Sequence, residues 1–88
     1  MANHTSALKR HRQELSRRLR NRYHRARMRT AVKRLRLAAE GGDVATAREL
    51  LSPTLSLIDR TAKHGAIHDN VAARTKSRLS RAINRLGA

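Results

Sequence analysis

The chain has 88 residues, no cysteine, a single aromatic residue (Tyr23), and 21 Lys or Arg against 6 Asp or Glu, for a formal net charge of +15. That length makes one small domain, stabilised by helix packing or by a partner, since disulfides and thiolate metal sites are excluded. One aromatic ring argues against a base-stacking platform, no apolar run approaches the ~20 residues that span a bilayer, and no apolar core follows the basic start as in a secretory signal.

Four Gly, one Pro and no strand-like alternation predict an all-α fold, a three-helix bundle with a long, projecting basic first helix. The first helix is expected from about Ser6 to about Glu40, stopped by Gly41-Gly42. Asp43 caps a second helix that runs to about His64, with Gly65 as its stop. Pro53 lies inside it and is expected to kink it. The apolar phase nevertheless continues unbroken through Val44, Ala47, Leu51, Leu55, Ile58 and Ala62, widened by Leu50, Leu57 and Thr61. A face that wide fits the middle member of a bundle. The third helix is expected from about His68 to Leu86, burying Val71, Ala72, Thr75, Leu79, Ala82, Ile83 and Leu86.

Within the first helix, Met28, Ala31, Val32, Leu35, Ala38 and Ala39 form a core-facing stripe. Leu8, Leu15, Leu19 and Ala26 fall on the other side of the cylinder. A helix from Asp43 to His64 is roughly 33 Å long at about 1.5 Å per residue, so it reaches back only to about Asn21. The expected organisation is therefore a basic arm over residues 1–20 and a bundle over residues 21–88. Like charges all round a helix destabilise it, so the arm is expected to be disordered when free and helical on a polyanion.

Charge is concentrated in two places. The first 36 residues hold thirteen Lys or Arg and one acid, Glu14. In the third helix Arg74, Arg78, Arg81 and Arg85, spaced 4, 3 and 4, form a stripe without acids. A charge run is ordinarily a solvated face, but a solvated face usually mixes signs, whereas a one-sign stripe suits phosphates. Arg outnumbers Lys 17 to 4. That bias suits bidentate phosphate contacts and is equally a product of a GC-rich genome. The Arg-rich, acid-poor start also has the look of an organelle transit peptide.

Nothing assembles a catalytic set. His64 and His68 have zinc-pair spacing, but Gly65 interrupts the helix and no further ligands are evident. Gly41-Gly42 lacks the pattern of a phosphate loop. No enzyme activity, metal, cofactor, small-molecule substrate or membrane contact is expected. Positive charge spread over a long helix and a second flank clamps several backbone strands, which suits folded RNA better than one straight duplex groove. A nucleoid-type non-specific DNA-binding protein is the alternative, and an amphipathic membrane-surface domain lacks the bulky anchors it needs.

The run Ile67-His68-x-Asn70-x-Ala72-Ala73-Arg74-x-Lys76-Ser77-Arg78-Leu79, the start Ala2-Asn3-His4-Thr5-Ser6-Ala7-Leu8-Lys9-Arg10-His11-Arg12, and the Gly42-Asp43 junction resemble the bacterial small-subunit ribosomal protein twenty family over nearly the whole chain. The resemblance implies a three-helix bundle that binds 16S rRNA directly, early in small-subunit assembly. It further implies a monomer within the cytoplasmic ribosome, with other small-subunit proteins as possible neighbours and no reaction to catalyse. By position it implies RNA contacts at Asn3, Ser6, Lys9, Arg10 and Arg12, and at His68, Asn70, Arg74, Lys76, Ser77 and Arg78. The charge pattern adds Arg17, Arg18, Arg22, Arg25, Arg29, Arg81 and Arg85. His68 and Asn70 have a plainer reading as caps of the third helix. The family more often has lysine at the positions of His64, Asp69 and Val71. Asp69 beside phosphates would be repulsive, so it is expected to face solvent or to cap.

Overall fold

The structure is a computed structural model that describes the backbone of residues 2–86 and the side chains of residues 6–86. It has three helices and, among the described residues, no strand: α1 (Ala2–Glu40), α2 (Val44–Lys63) and α3 (Asp69–Leu86). α1 starts four residues before Ser6, and α2 runs unbroken through Pro53, which is exposed.

Both helix reversals are built on glycine. Gly42 has φ +76° and Gly65 has φ +79°, a backbone region that costs glycine nothing. After α1, the Asp43 N–H donates to the Ala38 carbonyl (3.0 Å) and the Gly42 N–H to the Ala39 carbonyl (3.2 Å). After α2, the Ala66 N–H donates to the Thr61 carbonyl (3.1 Å) and the Gly65 N–H to the Ala62 carbonyl (2.9 Å). Each is a Schellman closure, which satisfies carbonyls that a helix end leaves open. The Asp43 carboxylate accepts from the Thr46 N–H (3.2 Å) and so caps the start of α2. Hydrogen bonding from Thr46 holds its carboxyl below the usual range.

α2 is the middle helix. It packs against α1 on one side and α3 on the other, while α1 and α3 scarcely touch. The core is small: Val32 and Leu35 of α1, Ala47 and Ile58 of α2, and Ala72, Leu79 and Ile83 of α3. Each fully buried Leu or Ile is worth about 1.5–3 kcal/mol, so few residues hold the bundle together. The centre line of α2 is not the aliphatic row. Ala47, Thr54, Ile58 and Thr61 are buried, whereas Leu51 and Leu55 sit half-buried beside them. Small side chains fit where two helices close on a third. The threonine hydroxyls satisfy themselves by donating to the carbonyls one turn back, Thr54 to Leu50 (2.6 Å) and Thr61 to Leu57 (2.7 Å).

Two expected core residues are corrected. Val71 is 42% exposed, and Ala82 is exposed too. Because α3 leans on α2 and barely on α1, its buried arc narrows to Ala72, Leu79 and Ile83, and the flanks of the expected arc stay open.

The molecule measures 66 × 20 × 15 Å. Its length is that of α1, whose 39 residues span roughly 58 Å at about 1.5 Å each. Every side chain from Ser6 to Arg20 is exposed, and Asn21 is the first to be half-buried.

Candidate nucleic-acid interface

The projecting part of α1 carries Ser6, Lys9, Arg10, Arg12, Arg17 and Arg18, all exposed. Further along, Arg22 and Arg29 are exposed and Arg25 is half-buried where the bundle begins. At about 100° per residue these cations point in all directions, so the arm is a charged rod rather than a charged face. Leu19 is 59% exposed among them, with Leu8 and Leu15 close behind. Asn3 lies in the α1 backbone, and its side chain falls outside the described residues.

On α3, Arg74, Arg78, Arg81 and Arg85 are all exposed. Arg78, Arg81, Ala82 and Arg85 line a shallow depression of about 480 Å³. Arg81 is held in place: its Nη2 donates to Ser77 Oγ (2.9 Å) and its Nε to the Ser77 carbonyl (3.3 Å). Ser77 thus orients a guanidinium of the stripe.

Two other residues implied by the resemblance also have partners within the protein. Lys76 is half-buried and pairs with Asp59 (2.9 Å), tying α3 to α2. A pair this open to water contributes little, about 0–1 kcal/mol. His68 caps α3: its Nδ1 accepts from the Asn70 N–H (3.0 Å), and its carbonyl accepts the first helical bond, from Ala72 (3.1 Å). Asn70 contributes its backbone to that cap, and its side chain is exposed. Asp69 is exposed as the first residue of α3, where a carboxylate favours the helix dipole.

Sequence reasoning passed over two features. A groove of about 440 Å³ runs along α1 beside Thr75 of α3, lined by Met28, Val32 and Leu37 with Arg29, Lys33, Arg36 and Glu40. It exists because the two outer helices diverge around α2, which no local pattern encodes. The second is a ring cluster. The His24 ring stacks on His64 with centroids 4.1 Å apart and planes 8° from parallel. Tyr23 meets His24 edge-on at 5.5 Å, and the Arg27 guanidinium lies 5.6 Å from the Tyr23 centroid. Partial burial, and then the charges of His64, Arg27 and Arg20, hold His24 below the usual histidine value. His64 therefore stacks on α1, and His68 caps α3.

The electrostatics are one-sided. Among the described residues Lys76–Asp59 is the one ion pair; every other Lys and Arg lacks a carboxylate within 4.0 Å. Also among the described residues, no group of three or more His, Asp or Glu could hold a metal ion, and no helix is long and apolar enough to cross a membrane.

Comparison with known proteins adds a family to this geometry. The profile of the family described as ribosomal protein S20 matches residues 2–84. A small ribosomal subunit protein bS20 of Desulfovibrio desulfuricans is 48% identical over 88 residues, covering 100% of this chain and 99% of the relative. The protein of the same name from Koribacter versatilis is 50% identical over 80 residues, covering 91% of this chain and 90% of the relative. That of Aquifex aeolicus is 45% identical over 85 residues, covering 97% and 90%. With a match over nearly its whole length, and with relatives of this identity, the chain belongs to the ribosomal protein S20 family.

Proposed function

We propose that the chain is a structural constituent of the small ribosomal subunit that binds 16S rRNA directly and stabilises its fold during assembly. The observation that carries this reading is the unpaired charge. An arm and a helix flank full of guanidinium groups, with almost no carboxylates to answer them, are tolerable only beside a polyanion. The role is structural: the protein neutralises phosphates of RNA segments that would otherwise repel one another.

The bundle over residues 21–86 acts as the preformed wedge. Its contacts come from Arg74, Arg78, Arg81 and Arg85, with Ser77 positioning Arg81. The arm supplies Ser6, Lys9, Arg10, Arg12, Arg17, Arg18 and Arg22, and its many directions let it touch strands on several sides at once. Its helix gains little packing of its own, so in the free protein it is expected to open readily and to be held helical on RNA. Asn3, Arg25, Arg29, His68, Asn70 and Lys76 complete the contact set. Binding releases counterions, so affinity drops about a thousandfold or more between roughly 50 and 200 mM salt for about six phosphate contacts.

Sedimentation with small subunits through a high-salt gradient, beside competition between 16S rRNA and duplex DNA of equal length, tests the proposal. Co-sedimentation and preference for 16S rRNA are expected. Equal affinity for any duplex would instead indicate a non-specific DNA-compacting protein.

A further inference from the structure

With a single tyrosine and no Trp or Phe, the chain has little with which to stack a base. The fold nevertheless gathers what it has. Tyr23, His24 and His64 come together at the end of α2, with Arg27 beside them, although His24 and His64 lie forty positions apart in the chain. Resting on the RNA-binding reading above, we infer that this cluster is a stacking site for one unpaired nucleobase.

Three observations support it. Tyr23 is 58% exposed, and His64 is exposed as well, so ring surface is left open to water. The two imidazoles lie 4.1 Å apart and 8° from parallel, close to the spacing of stacked bases, so a base laid on the exposed His64 would continue an existing pile. The site also stands where the exposed arm meets the bundle, among Arg20, Arg22, Arg25 and Arg27. Those cations hold the strand's phosphates, and the rings take a base from it. The plain alternative is that the stack only fastens α1 to the end of α2. A fastening role would bury the rings, yet Tyr23 and His64 are left largely uncovered.

The test uses the full chain and two probes of equal length: a decamer of riboadenylate and an abasic ribose-phosphate decamer. Binding is followed by anisotropy of a labelled probe. Ring contact is followed by ring-proton NMR and by tyrosine fluorescence, which reports on Tyr23 alone because the chain has no second tyrosine and no tryptophan. Both decamers bind at low salt. Only the riboadenylate quenches Tyr23 and moves the ring protons of Tyr23, His24 and His64 upfield. His64→Lys removes a ring and leaves a long polar side chain in its place; it and Tyr23→Leu each weaken riboadenylate binding by roughly fivefold or more and leave abasic binding within about twofold. If both decamers bind and the rings respond to neither, or to both alike, the stacking site is overturned while RNA binding stands. If neither decamer binds, the RNA-binding reading fails and takes the stacking site with it. The NMR comparison needs no variant, so it decides the matter even if a substitution disturbs folding.

Discussion

The two ends of α1 belong to one continuous helix and obey different rules. From Asn21 onward the helix is held by neighbours: Val32 and Leu35 are buried against α2, and Met28, Ala38 and Ala39 pack around them. From Ser6 to Arg20 no side chain is covered, and the leucines at 8, 15 and 19 face water alongside Lys9, Arg10, Arg12, Arg17 and Arg18. The bundle half carries its own stability in apolar contacts, independent of salt. The arm half, from Ser6 to Arg20, has no buried side chain to draw on. Apolar packing is thus confined to one part of a single helix, and the other part is left as exposed charge.

The largest expected difference between the halves is in stability. Leu35 is fully buried, so Leu35→Ala should cost about 2–5 kcal/mol, a large share of what a small domain has. Leu15→Ala, in the arm, should change stability by less than about 0.5 kcal/mol. Thermal denaturation of the two variants measures both. Equal losses would mean that the arm packs on something in the free protein.

Hydrogen exchange sharpens the same contrast. Amides at 8–18 should exchange quickly in the free protein and become protected on 16S rRNA, whereas those around Leu35 and Ile58 stay protected throughout. Strong protection at 8–18 without RNA would defeat the folding-on-binding account of the arm.

A smaller effect tests the α3 flank. Arg78→Ala removes one exposed guanidinium from the stripe and should make the dependence of log affinity on log salt shallower by about one unit. Its folding stability should hardly move. An unchanged salt slope would take Arg78 out of the contact set.

The smallest expected effect is on acid stability. His24 is held below its ordinary value of 6.5, so the folded protein binds fewer protons there than the unfolded chain does. Its contribution is therefore complete above about pH 6.5 and is lost as the pH falls through the lowered value. His24→Leu should flatten that part of a pH–stability curve. An unaltered curve would show that the stack does not couple to protonation.

Much of the architecture is legible in the residues. Gly42 and Gly65 mark reversals because only glycine takes positive φ without cost, and Asp43 marks a helix start because its carboxylate reaches a free N–H. The breadth of the apolar face on α2 shows that it sits between two neighbours. The candidate site is legible as composition: cations without acids. Individual roles are less so. Ser77, Lys76 and His68 sit in one run of sequence, yet the first orients Arg81, the second pairs with Asp59 and the third caps a helix.

By itself, the sequence determined the helices, their ends and the polarity of their faces, since each of these depends on residues within a turn or two of one another. Only the tertiary structure decided that Thr54 and Thr61 line the middle of α2, that Val71 is left in water and that His24 meets His64. Helical periodicity gives the direction in which a side chain points around its own axis. What stands in that direction depends on how separate helices approach one another, and that is a property of the packed molecule.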